Sequence, residues 1–491
     1  MFQYRVMHNE IQGNLGLALA HPLYHLLGIL AKAIPVGDVF FRINLISAVA
    51  GALAVANLFL LVRVWTGMFI PALIGALSLA LSHTHWLHCC IAEVYTLYLA
   101  IFLAELVVLL KYCKTGRVGY LYWLGVLNGL SIANHMWGSI PLVCYVVFVV
   151  FLLARKKISG ANVAMVFLLW LIGFSPYGWL IIQNMIQSGD VTGTISSALF
   201  GNGWQNSVLN TQLTAKVVKE NIMFIGMNFP TPNVLLAIMG IFALFRIRSE
   251  RAFSKVVLGL LVLFLLFAFR YTVPDRYAFF LPFYAMVSIF IGLGSWQLLG
   301  GGKAMSNEQL SGNVRLLRGR GKVFAGLMIF FALLVVPVYA VIPVAARDME
   351  VSLGTGRQIP YRDEYEWFLQ PWKTGYHGPR QFAVEALEVV EENGLIYADG
   401  TTVYVLLLVQ QSENLRPDVT IVSSHGTVNN LDGYGGERID ELFREHKIYV
   451  VSPVAGYCPG FLREKFEFES VGIIWRAKIK DQSEKDENVS G

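Results

Sequence analysis

The chain is short of charge. Only 14% of its 491 residues are Asp, Glu, Lys or Arg, while 55% are hydrophobic, whereas about a quarter of a typical soluble domain is charged. An ordinary water-soluble enzyme is thereby excluded. Cysteine is also scarce: Cys89, Cys90, Cys113, Cys144 and Cys458 form no Cys-x-x-Cys pair, so neither a disulfide framework nor a structural zinc site is indicated. A P-loop, Gly-x-Gly-x-x-Gly, Gly-x-Ser-x-Gly and His-Glu-x-x-His are all missing, which removes support for ATP-driven transport and for hydrolases of those types. The opening MFQYRVMHNEIQG has no basic stretch followed by an apolar run, the pattern of a signal peptide. Insertion is therefore expected to rely on internal spans.

The charge that exists is unevenly placed. Residues 1–344 carry 23 Lys/Arg and nine Asp/Glu, a net +14, and residues 345–491 carry 15 and 24, a net −9. The overall +5 averages a basic membrane body and an acidic water-exposed domain, so it does not suggest nucleic-acid binding. A helix needs about 20 mostly apolar residues to cross the hydrocarbon core. Ten candidates lie at 45–64, 68–83, 94–111, 119–135, 138–154, 163–185, 231–247, 255–270, 279–298 and 323–344. Lys and Arg at 63, 111–117, 155–157, 246–255 and 315–322 fall on alternate sides of successive spans. That side is assigned to the cytoplasm. The expected fold is a mainly α membrane protein, a polytopic bundle of about ten helices over 1–344, followed by an extracytoplasmic soluble α/β domain over 345–491. In that domain strands are expected at 395–398, 419–423 and 448–451, with helices at 380–393, from 401, and at 438–446. Gly300-Gly301-Gly302 and the basic run behind it suit a cytoplasmic linker.

Ionisable groups in or beside spans are costly and default to functional hypotheses. Here His21, Glu93, Asn134, His135, Arg270, Asp275 and Arg276 are all predicted on the outer face. Glu93 begins a span, where it would bond a sugar hydroxyl, orient a catalytic base, or cap the helix. His135 would donate to a phosphate, or bond a neighbouring helix. Arg270 and Arg276 offer forked guanidinium groups at headgroup depth; alternatively Asp275 and Arg276 pair with neighbours and Arg270 snorkels. His83, His85 and His88 do not share one helical face, and Trp86 among them suits an interfacial belt, so no metal is called. The loop 186–230 exceeds a mere connector. Its Phe200 and Trp204 suit a sugar platform or lid, and Leu213–Ile225 reads as an amphipathic surface helix.

Ala20-His21-Pro22-Leu23-Tyr24, Gly37-Asp38, Arg42-Ile43-Asn44-Leu45-Ile46-Ser47-Ala48, Ala92-Glu93-Val94-Tyr95, Gly129-Leu130-Ser131 and Asn134-His135 follow in an order that resembles a family of multi-span membrane glycosyltransferases. That family includes the transmembrane O-mannosyltransferases of plexin-type domains. Asp399-Gly400-Thr401-Thr402 and Arg416-Pro417-Asp418-Val419-Thr420-Ile421-Val422 resemble the C-terminal region of its bacterial members. The resemblance implies a GT-C-type fold and transfer of a sugar, with inversion, from a polyprenyl-phosphate carrier to a protein, lipid or glycan acceptor. It implies no cofactor and no metal. Arg270, Arg276, His21 and His135 would meet the leaving phosphate, and Glu93, Tyr95, Asn134 and Trp204 the sugar or acceptor. The family also places Asp-x-x-Glu some fifteen residues before the His-Pro, almost where this chain starts. The base is then expected upstream of Met1 or at Glu10. The rival expectations are a transporter or flippase of lipid-linked sugars, disfavoured because no paired discontinuous helices are visible, and a non-catalytic scaffold.

Overall fold

Capping residues bound the long helices. Asp38 accepts the Phe41 amide at 2.7 Å and starts Val39–Thr66, and Gly67, at φ 71°, ends it in the left-handed region that glycine adopts freely. Ser159 and Asn162 form a reciprocal capping box ahead of Gly160–Ser188. The computed structural model describes residues 1–246, 250–273, 275–301, 320–353, 358–425 and 428–480. Arg248, Gly302 with the basic run at Arg315 and Arg318, and the polar end from Asp481 lie outside the described residues. Two compact units form, Phe2–Met349 with Phe368–Trp372, and Glu350–Trp367 with Lys373–Gly491.

Among the described residues, seven helices of the first unit are long and apolar enough to span a bilayer: Val39–Thr66, Tyr95–Thr115, Met136–Ala154, Gly160–Ser188, Arg251–Arg270, Ala278–Leu298 and Arg320–Asp348. Two bent pairs raise the number to as many as nine. Phe69–Ala80 and His83–Cys90 meet at 63°, and Ala215–Asn228 and Pro232–Ala243 at 108°. The remaining expected span corresponds to Gly119–Asn134, which has only 16 residues. The bends correct the expectation that discontinuous helices are absent. Ser82 is extended at the first break and Pro232 opens the helical turn after the second, while Asn228 accepts the freed Thr84 amide at 2.8 Å. The surface helix expected at Leu213–Ile225 is found as Ala215–Asn228, capped by Thr214, and is the first arm of the second pair.

Exposed apolar side chains such as Val147, Val150, Phe167, Ile172 and Trp179 mark lipid-facing stripes, whereas Ala278–Leu298 is buried almost throughout. Water cannot drive helices together inside lipid, so close backbone approach does. A Cβ on Gly129 would stand 2.3 Å from the Trp170 carbonyl, and one on Gly173 2.2 Å from that of Val126. Gly129 of the Gly-Leu-Ser motif thus serves helix contact.

The second unit holds a mixed sheet of β1 (Leu395–Tyr397), β2 (Thr420–Val422), β3 (Ile448–Val450), β4 (Phe466–Val471) and β5 (Ile474–Ile479), in the order β2-β1-β3-β5-β4. β1 runs parallel to β2 and β3, and β5 is antiparallel to β3 and β4. The β4–β5 hairpin was not anticipated; Gly472, at φ 61°, makes its turn. Arg416 donates to the carbonyls of Leu387, Val390 and Glu391 at 3.0, 2.7 and 3.2 Å while pairing with Asp418 at 2.7 Å. The Arg-Pro-Asp motif therefore closes the end of the Gly378–Glu388 helix. Asp399 accepts the amides of Thr401 and Thr402 at 2.8 and 3.1 Å, so its motif starts Val403–Glu413.

Candidate active site

Four breaks between helices bring polar groups together in the membrane unit. His21 precedes Pro22 at the start of Pro22–Ala31, with φ 49° and ψ 52°. A non-glycine residue in the left-handed region is strained and persists only where the surroundings enforce it. Enforcement comes from Arg5, which is buried and donates to the carbonyls of Leu19 at 3.3 Å, Ala20 at 3.0 Å and Ile11. Glu93 lies in the break before Tyr95–Thr115, its backbone amide and carbonyl both tied to the Ser47 hydroxyl at 3.1 and 3.0 Å. Val94 occupies the cap position without a side-chain cap bond, so Glu93 is not the N-cap.

The imidazoles have assignable tautomers. His21 Nδ1 lies 2.8 Å from the Asn134 carbonyl, which only accepts, so Nδ1 carries the proton and Nε2 is an acceptor. His135 Nδ1 instead accepts the Trp137 amide at 3.1 Å, so its proton sits on Nε2. The two rings stack at 5.1 Å. Burial holds His21 down at about 4 and lowers His135 as well, so both are neutral. His21 thus departs from its expected role: in the neutral tautomer its one donor is consumed, leaving His135 as the donor of the pair.

Tyr95 closes the cluster. Its ring lies 5.7 Å from His135 and stacks on Trp137 at 5.1 Å, and its hydroxyl donates to Asp275. Asp275 is exposed and its charge acts on Glu93. Burial first, and Asp275 second, push the Glu93 carboxyl up to about 8. Asn134 Nδ2 donates to the Val94 carbonyl at 2.9 Å, tying the His135 turn to the Glu93 break.

His21, Glu93, Tyr95, Asn134, His135 and Asp275 are therefore neighbours, and the other candidates are engaged elsewhere. Arg270 donates to the carbonyls of Asn210, at 3.0 Å, and Val208. Arg276 pairs with Glu220 and Asn221 and lies over the Phe224 ring at 5.7 Å. Both guanidinium groups fasten the 205–228 stretch to the end of Arg251–Arg270, correcting the expectation that they stand open to a phosphate. Trp204 caps the short Gln205–Val208 helix; nearby, Asn202 donates its amide to the Leu15 carbonyl at 3.0 Å. The Glu10 amide bonds the Arg5 carbonyl at 2.8 Å, and no described contact joins its carboxyl to the cluster. Among the described residues, no three His, Cys, Asp or Glu side chains are arranged to hold a metal ion; His85 sits against Cys89 and His88 bonds the Thr84 carbonyl.

Two features went unread in the sequence. Trp137 and Phe279 wall the cluster, 5.3 Å apart. Glu105, in the middle of a span, accepts from Tyr145 at 2.9 Å and borders Asn128, which donates to the Gly138 carbonyl at 3.0 Å and accepts from Trp170 at 3.1 Å. This network fixes the turn that carries His135. A lone Glu at mid-span was the available signal.

Residues 16–159 match the family model of the Protein O-mannosyl-transferase TMEM260 N-terminal domain. Among curated proteins no relative matches. In fold the chain is similar to ArnT from Cupriavidus metallidurans. The crystal structure of ArnT bound to undecaprenyl phosphate aligns with a TM-score of 0.55 at 10% identity, covering 97% of this chain and 91% of that one. The apo structure aligns at 0.54 and 12%, covering 97% and 90%. Together these bear out the resemblance to GT-C-type membrane glycosyltransferases and an integral, multi-pass protein.

Proposed function

We propose that this chain transfers a hexose, mannose foremost, from a polyprenyl-phosphate carrier to an acceptor hydroxyl at the extracytoplasmic end of its bundle. The convergence of Glu93, Asp275, His135 and Asn134 from separate breaks at one site carries the reading. The undecaprenyl phosphate bound by ArnT supports a lipid-phosphate donor, and the alternation of basic loops supports the face, with the second unit on the same side. In this reading Glu93 accepts the acceptor's proton as the acceptor oxygen bonds the anomeric carbon. The bond from that carbon to the phosphate oxygen breaks, its electron pair leaves with the lipid phosphate, and the configuration inverts. His135 Nε2–H meets the developing charge, and Arg276 joins it by exchanging Glu220 for phosphate. No cofactor is invoked.

The test is transfer of labelled mannose from polyprenyl-phosphate mannose by the purified chain in lipid vesicles. A general base contributes about 10²–10⁴-fold, so Glu93→Gln should cost at least about a hundredfold while Glu10→Gln leaves the rate within about twofold. Equal rates for Glu93→Gln and the parent would overturn the assignment. The two bent helix pairs favour one second reading, a transporter of the same lipid. Carrier crossing the vesicle without sugar transfer would establish that reading instead.

A further inference from the structure

The turn from Asn134 to Gly138 is almost completely satisfied. The Asn134 carbonyl takes His21, Asn134 Nδ2 binds the Val94 carbonyl, and His135 Nδ1 takes the Trp137 amide. The Trp137 carbonyl takes the Tyr98 hydroxyl at 3.3 Å, and the Gly138 carbonyl takes Asn128. Two side-chain atoms remain, Asn134 Oδ1 and Trp137 Nε1, both buried and without a hydrogen-bond partner among the described residues. Asn134 is 0% exposed and Trp137 2%. The Val94 bond fixes which way the amide faces, so the orphan on Asn134 is the acceptor. Leaving such a group unmade costs about 1–3 kcal/mol, and the same short turn carries one unspent acceptor and one unspent donor.

We infer that Asn134 Oδ1 and Trp137 Nε1–H are a matched acceptor and donor that read a hydroxyl of the transferred sugar. The inference rests on the proposed transfer reaction and adds the part of the donor that these atoms bind. A phosphate at neutral pH offers chiefly acceptors and leaves Asn134 Oδ1 unpaired; a hydroxyl donates and accepts and satisfies both. The phosphate therefore belongs with the Nε2–H of His135, which lies between the two residues in sequence and is less completely buried than either. Tyr95, stacked on Trp137, supplies an apolar surface beside the hydroxyl site, suited to a sugar ring's C–H face.

Affinity of the full chain in nanodiscs, read by thermal shift for polyprenyl-phosphate mannose, its monodeoxy analogues and sugar-free polyprenyl phosphate, tests this. One neutral hydrogen bond is worth about fivefold to tenfold in affinity. The parent protein should bind the mannosyl lipid more tightly than the bare carrier, and one deoxy analogue should lose about that factor; neither comparison needs a variant. Trp137→Phe, which keeps the ring and removes the N–H, and Asn134→Leu should abolish discrimination against that same analogue; bare-carrier affinity is compared in Trp137→Phe, because Asn134→Leu also gives up the Val94 bond that holds the His135 turn. Undiminished discrimination in both variants overturns the assignment, as does equal weakening of bare carrier and mannosyl lipid. Binding of bare carrier without any preference for mannosyl lipid overturns it while leaving a lipid-phosphate site in place. A parent protein that binds neither lipid overturns the donor reading and this inference with it.

Discussion

Asp275→Asn is the substitution that most directly examines the carboxyl pair. With Glu93 at about 8, about one-tenth of sites carry the ionised base at pH 7 and half at pH 8, so kcat/KM should climb about fivefold over that unit and level off above pH 9. Burial is the larger cause of the shift and Asp275 the second, so removing the Asp275 charge should return only part of it. A like charge several ångströms away is worth about one unit at an effective dielectric near 20. The rising limb in Asp275→Asn should therefore move about one unit toward lower pH, with a higher rate at pH 6 relative to its own plateau. Glu93→Gln should have no such limb. Stability follows the same proton: the folded state holds it more tightly than the unfolded chain, so the contribution is complete below the unfolded carboxyl's pKa of about 4.5 and is lost as pH rises through about 8. Thermal unfolding of the parent should lose stability across that window more steeply than Glu93→Gln. A rate limb that stays in place, or moves upward, in Asp275→Asn would refute the pairing of the two carboxylates.

Three further substitutions separate chemistry from scaffolding. Arg276→Ala and Glu220→Gln break the same ion pair; if Arg276 serves the phosphate, the first should cut transfer by at least about tenfold more than the second, whereas equal losses would reduce it to a fastener. His21→Gly relieves the strained φ of 49° and should hold or raise the unfolding temperature while lowering transfer, a divergence that His21→Ala, which keeps the strain, should not show. Gly129→Ala drives a methyl into the Trp170 carbonyl, and overpacking of this kind costs about 1–3 kcal/mol; the unfolding temperature in detergent should drop, and an unchanged value would mean that the two helices are free to separate.

Periodicity and apolar length carried the bundle because a bilayer demands them, and all ten expected spans coincide with helices. What they could not carry was continuity. At Ser82 the polar run Ser82-His83-Thr84-His85 reads as the end of a span, whereas the chain bends there into a second helix whose Thr84 amide is answered by Asn228, and no local pattern announces a partner that distant. The same limit divides the site. His21, Glu93, Asn134 and His135 stood out because a polar group in an apolar run needs a reason, whereas Trp137 and Phe279 did not, since aromatics are ordinary at a membrane boundary. Arg270 and Arg276 show the same limit. A sequence shows that a cation is present, but whether it is spent depends on Glu220, Asn221 and the carbonyls of a loop about 60 residues away. Where a cation is already engaged, the sequence cannot say so; around the His135 turn the atoms left without a partner among the described residues are Asn134 Oδ1 and Trp137 Nε1, and the proposed sugar site rests on them.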